Sequence, residues 1–115
     1  MEKLKEQIQS AVSIFKSGNL IKAEENTRKL ILENPKVAFL YNLLGLILTD
    51  QKKDDEAMKC YESGIKIDPT YGMIYNNIAY LLYKNKTANN LKKAESFYKK
   101  AIELDKKIQN SRLSF

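Results

Sequence analysis

The apolar positions of this chain fall into six blocks of helical period, and the clearest stretch runs from Val37 to Tyr71. Its first half, VAFLYNLLGLILTD, is apolar on nearly every side. At 100° per residue, Tyr41, Leu44, Gly45 and Leu48 share one face, while Phe39, Leu43 and Leu46 lie roughly opposite. A helix that is apolar on two faces needs two covers, one from its own hairpin and one from elsewhere. The full pattern predicts helices over residues 3–17, 20–33, 37–51, 54–67, 71–84 and 90–106. Gly18 ends the first by supplying the left-handed residue after a helix C-terminus. Asp54, Asp55 and Glu56 open the fourth as cap and first-turn acids, a reading preferred over an acidic metal site. Asn34-Pro35 and Asp68-Pro69 each close one segment and begin the next.

These blocks repeat. Pro35 and Pro69 stand 34 residues apart, as do Ala23 and Ala57, Tyr41 and Tyr75, and the series Ala11, Gly45, Ala79. Ala94 and Tyr98 follow Ala57 and Tyr61 by 37, which places three extra residues in the turn KNKTANN. Small residues recur on the inward face of each helix: Ala11, Gly45 and Ala79 on the first of each pair, Ala23, Ala57 and Ala94 on the second. Their small side chains let paired axes approach to about 8–10 Å.

The run Tyr41-x2-Leu44-Gly45-x2-Leu48, followed by Ala57-x3-Tyr61, Gly64 and Pro69, resembles a tetratricopeptide (TPR) repeat. Tyr75, Ile78, Ala79, Leu82, Ala94, Tyr98 and Ala101 match in a third unit, where Lys106 replaces the expected Pro. Ala11, Ile14, Ala23, Leu30 and Pro35 match in a first, from which Gln7, Ser10 and Thr27 depart. The likeness covers about residues 4–108. It implies an all-α, right-handed superhelical solenoid of three antiparallel helix pairs, with the first helices lining a concave side. The expected organisation is a single domain over 1–115, with units at about 4–37, 38–71 and 72–108 and a short tail at 109–115. Three hairpins that cannot each bury their apolar faces alone must stack.

The helical projection gives the lining of that concave side. Lys5, Ile8, Val12 and Phe15 come from the first helix, Phe39, Asn42, Leu43 and Leu46 from the third, and Met73, Asn76, Asn77, Tyr80, Tyr83 and Lys84 from the fifth. An apolar, aromatic surface with lysines at its edges marks a contact site for a protein or peptide partner. Leu43 and Leu46 carry the competing reading of solenoid core. Some members of the resembled family clamp a chaperone's C-terminal carboxylate with Lys, Asn and Arg at positions matching Ile8, Val12, Leu43, Met73 and Asn77. Only Asn77 keeps that chemistry, so the surface suits an apolar or amphipathic helix better.

Composition narrows the alternatives. The chain has no histidine and one cysteine, Cys60, which removes the usual general base, zinc spacings and any internal disulfide. No Gly-rich phosphate loop is present. The expectation is therefore no catalysis, no cofactor and no metal. Cys60 reads as a part-buried apolar residue in a reducing compartment, and the cytoplasm is the default location. No apolar run reaches the ~20 residues of a membrane span. Residues 72–115 carry nine Lys/Arg against three Asp/Glu, a net +6, with lysine pairs at 92–93, 99–100 and 106–107. Glu95 and Glu103 precede Lys99 and Lys107 by four, so this stripe reads as a solvated helix face rather than a nucleic-acid surface. The register aligns Ile108 with Tyr71 and Phe115 with Ile78, so the last hairpin lacks a full capping helix. Two further readings follow: a scaffold that self-associates through this end into homo-oligomers, and a substrate-recruiting appendage of an enzyme.

Overall fold

A computed structural model of the chain describes residues 2–85 and 87–113, with side chains described as far as residue 106. Six helices follow in order: α1 (Glu2–Lys16), α2 (Leu20–Glu33), α3 (Ala38–Asp50), α4 (Asp54–Ile67), α5 (Gly72–Lys84) and α6 (Ala88–Leu113). They pair as the antiparallel hairpins α1–α2, α3–α4 and α5–α6, which stack in sequence.

Local chemistry accounts for most of the boundaries. Gly18 has φ +89°, the left-handed position the sequence assigned to it. Asn19 then caps α2, its Oδ1 accepting from the Lys22 N–H at 3.2 Å. The start of α4 differs from expectation. The N-cap is Lys53, after Lys52 at φ 65°, and Asp54 is already helical, its carboxylate 3.4 Å from Lys84 Nζ. The three acids remain in the first turn, where they favour the helix dipole.

Two further differences concern α6. The three extra residues do not lengthen the preceding turn; they form the first turn of the helix, beginning at Ala88. Thr87 makes this possible, because its Oγ1 accepts from the Asn90 N–H at 3.1 Å as an N-cap. At the other end the expected tail is helical to Leu113. Lys106 stands where the earlier units have Pro35 and Pro69, so no missing backbone donor interrupts the helix. Ile108 and Phe115, placed by register in a fourth unit, lie outside the residues whose side chains are described.

The stacking sets the curvature. α3 closely approaches both α1 and α5, whereas α2, α4 and α6 make no such approach to one another among the described residues. First helices that crowd while second helices splay put α1, α3 and α5 on the inside of an arc. The radius of gyration, 14.9 Å, exceeds the roughly 13 Å of a compact chain this size, as an open solenoid requires.

Within each pair the small residues do the expected packing. Ala11, Ala23, Ala57 and Ala79 are fully buried, and Ala94 nearly so. At Gly45 the approach is so close that a Cβ there would overlap the buried Tyr61 ring. Tyr61 OH stands 3.4 Å from Thr49 Oγ1, which itself donates to the Gly45 carbonyl at 2.7 Å. Burial pushes the Tyr61 phenol up to about 12, with the Thr49 hydrogen bond opposing.

Successive units are tied by a repeated bond. Tyr41 OH donates to the Pro35 carbonyl and Tyr75 OH to the Pro69 carbonyl, each at 2.8 Å and each six residues on. The shared geometry fixes how each turn leads into α3 and α5. On the outer side, Glu24 accepts from Arg28 Nε at 2.8 Å and from Gln51 Nε2 at 2.9 Å, joining α2 to the α3–α4 turn. The Arg28 bond is the largest influence holding the Glu24 carboxyl below its ordinary range.

Candidate partner-binding surface

The inside of the arc is built by residues at spacings of three and four on α1, α3 and α5. On α1, Lys5 is exposed, and Ile8, Val12 and Phe15 are half-buried because they also pack against the core between the first two units. On α3, Phe39 is 37% exposed and Leu46 half-buried. On α5, Asn76 is exposed, Met73 is 61% exposed, and Tyr80 and Tyr83 are 50% exposed. Phe39 and Tyr80 are thus not sealed inside a closed bundle.

Four expected lining residues have other roles. Leu43 is only 3% exposed and joins Ala11, Leu30, Leu40 and Ile47 in the core. The close approach of α1 to α3 covers it, which projection of a single helix does not reveal. Asn42 is buried as well. Its Oδ1 accepts from Asn77 Nδ2 at 2.7 Å. A buried amide needs such partners, so Asn42 and Asn77 knit α3 to α5 instead of presenting free amides to a ligand. Lys84 is pulled away toward Asp54 on α4, with its Nζ 5.8 Å from the centre of the Tyr80 ring. That leaves Phe39, Met73, Asn76, Tyr80 and Tyr83 as the accessible floor, edged by Lys5 and backed by Ile8, Val12, Phe15 and Leu46.

The surface suits binding by shape and apolar contact. Its aromatic rings present hydrophobic bodies, and Tyr80 and Tyr83 add hydroxyls. On α6, Lys92, Lys93, Lys99, Lys100 and Lys106 are exposed. Lys99 Nζ pairs with Glu95 at 3.1 Å, with both side chains exposed, as the four-residue spacing predicts. Cys60 is half-buried, and burial pushes its thiol up. No helix among the described residues is long and apolar enough to cross a membrane.

Comparison with known proteins agrees with this architecture. A family model described as TPR repeat matches residues 38–86, and one described as tetratricopeptide repeat matches 74–108. The uncharacterized protein ycf37 of Pyropia yezoensis is 39% identical over 97 residues, covering 81% of this chain and 53% of the relative. The uncharacterized protein ycf37 of Porphyra purpurea is 34% identical over 106 residues, covering 89% and 54%. The chain spans about half the length of these curated relatives. Among solved structures, that of MamA superposes with a TM-score of 0.78 at 24% identity, over 87% of this chain and 57% of the other. The first TPR of Spaghetti (RPAP3), bound to the HSP90 peptide SRMEEVD, gives 0.80 at 17% identity, over 90% and 79%. MamA from Desulfovibrio magneticus RS-1 gives 0.78 at 16%, over 88% and 55%. These structural likenesses establish the fold. Matched by two repeat models across residues 38–108 and built of three stacked helix pairs, this chain belongs to the tetratricopeptide repeat family.

Proposed function

We propose that this chain is a protein-interaction module whose concave face holds an apolar or amphipathic helical segment of a partner protein. The observation that carries the reading is the exposure of Phe39, Met73, Tyr80 and Tyr83 on α3 and α5. Covering about 300 Å² of such surface contributes roughly 7 kcal/mol gross, much of which association entropy offsets. Micromolar affinity follows. The lone cysteine favours a reducing compartment such as the cytoplasm as the working environment.

The peptide bound by the RPAP3 domain, SRMEEVD, carries three acids among its last four residues, and this chain offers no matching set of cations for it. Ile8, Val12, Leu43 and Met73 carry no charge, Leu43 is buried, and Asn77 is committed to Asn42. An acidic chain terminus brought to this floor would lose its hydration without gaining an ion pair.

The test is capture from an extract of the native cell, with wild-type chain and the Phe39→Glu/Tyr80→Glu double variant as baits. Partners retained by the wild type should be lost from the variant, whose helicity stays unchanged. Equal retention by both contradicts the reading.

A further inference from the structure

We infer that the outer face of α2 is a self-association surface, on which two copies of this chain pair antiparallel through Ile21, Glu25, Arg28 and Leu32. Ile21 is 71% exposed and Leu32 84%, the two most exposed large apolar side chains among the described residues. They stand eleven residues apart on one helix, close to three turns, with Glu25 and Arg28 on the turns between. At 100° per residue the four positions stay within about 60° of one another and form one stripe about 16 Å long. All four are exposed.

The fold itself uses the other side of this helix, which buries Ala23, Thr27 and Leu30. On the stripe, Glu25 makes no ion pair among the described residues. Arg28 holds Glu24 through Nε at 2.8 Å and reaches Glu56 through Nη2 at 3.6 Å, which leaves guanidinium donors for a further carboxylate. The splay of α2 from α4 also opens a groove of about 350 Å³ beside Leu32, with Ile31, Tyr41, Leu44 and Cys60 in its walls. Scattered exposed apolar residues are ordinary on a protein surface, so it is the order along the stripe that carries information.

That order, apolar, acid, base, apolar, is complementary to its own reverse. About a two-fold axis between residues 26 and 27, Ile21 of one copy stands opposite Leu32 of the other, and Glu25 opposite Arg28, each pair formed twice. Ile21 of the second copy then meets Leu32 at the mouth of the groove. A parallel pairing sets Glu25 against Glu25 and Arg28 against Arg28, and is repelled. A foreign helix would need the same four residue types at the same spacing, whereas a second copy carries them by construction. The contact closes on itself, so it stops at a dimer.

The dimer is weak. Three turns of one helix cover well under the ~800 Å² a side of a standard interface, and the exposed Lys22 and Lys29 on one flank add like charge that opposes the contact. Concentrated protein therefore pairs, while a bait diluted in an extract does not, and this face stays out of the readout of the concave floor. The copies meet on the outside of their arcs, which leaves both concave floors open. On the reading proposed above, the pair is bivalent.

The experiment is sedimentation velocity of the full chain at concentrations up to about 1 mM. The wild type should pass from the 13.3 kDa monomer toward twice that mass and no further. Leu32→Glu, at a position too exposed to disturb the fold, should weaken the dimer at least about tenfold. Glu25→Arg and Arg28→Glu should each weaken it, since each sets like charges opposite one another. An equimolar mixture of these two chains should associate more tightly than either alone, because every introduced charge then faces its opposite. A loss of helicity in one variant cannot produce that rescue in trans. A monomer at every concentration, growth beyond the dimer, indifference to Leu32→Glu, or a mixture no tighter than its components overturns the inference. Capture of a groove partner does not depend on this stripe, so Leu32→Glu should retain it, and the two readings fail separately.

Discussion

Asn77 donates its side-chain amide to Asn42 across the seam between α5 and α3, at 2.7 Å. The pair joins the two helices at the floor of the arc. Removing one partner leaves a buried amide under-satisfied, whereas removing both leaves none. Asn77→Ala should therefore lower unfolding free energy by about 1–3 kcal/mol in urea titrations. The double variant Asn42→Leu/Asn77→Leu should lie much closer to wild type. Equal losses from the two variants would show that the bond does not join the helices in this way.

Gly45 and Gly64 make similar close approaches against different neighbours. Beside Gly45 is the Tyr61 ring, fully buried and held by Thr49; beside Gly64 is the methyl end of Ile74. A methyl end moves by a small rotamer change, and a locked ring does not. Gly45→Ala should cost about 1–3 kcal/mol through overpacking, despite alanine's preference for helix. Gly64→Ala should cost visibly less. Thermal unfolding of the two variants gives the order directly.

Thr27 takes the place in the first unit that Tyr61 takes in the second, and its hydroxyl is buried without a hydrogen-bond partner. Thr27→Val removes that orphan at nearly constant shape. The substitution should stabilise the fold by about 1 kcal/mol, read as a higher urea midpoint with unchanged slope.

Alkaline stability follows from Tyr61. Its folded-state value, about 12, lies above the ordinary phenol value of 10.0. The neutral phenol is thus favoured by folding, so its contribution is complete below pH 10 and is lost as pH rises toward 12. Unfolding titrations from pH 9 upward should show stability falling in that window, and Tyr61→Phe should flatten the fall.

Much of this fold was legible from letters. The spacing of Pro35 and Pro69, the series Ala11, Gly45, Ala79 and the turn at Gly18 fixed helix order, pairing and one backbone sign. Those features act locally or repeat, so a single chain displays them. The misplacements share a different physics. Leu43 and Asn42 project to the concave side of an isolated α3, and only the approach of α1 and α5 decides that they are covered. Lys84 follows the same logic, since its partner Asp54 stands thirty residues away on another helix. Thr87 is the exception, a capping residue that could have been read from sequence beside the three-residue insertion.

Site-specific photo-crosslinking bears most directly on the concave reading. A photoreactive phenylalanine analogue is placed at Tyr80 on the concave floor, or at Leu32, which is 84% exposed on the outer helix α2. In extract of the native cell, the Tyr80 position should give discrete partner adducts that are suppressed by Phe39→Glu, and the Leu32 position should give few. Adducts formed equally from both positions, or chiefly from Leu32, would contradict a groove that binds through its inner face.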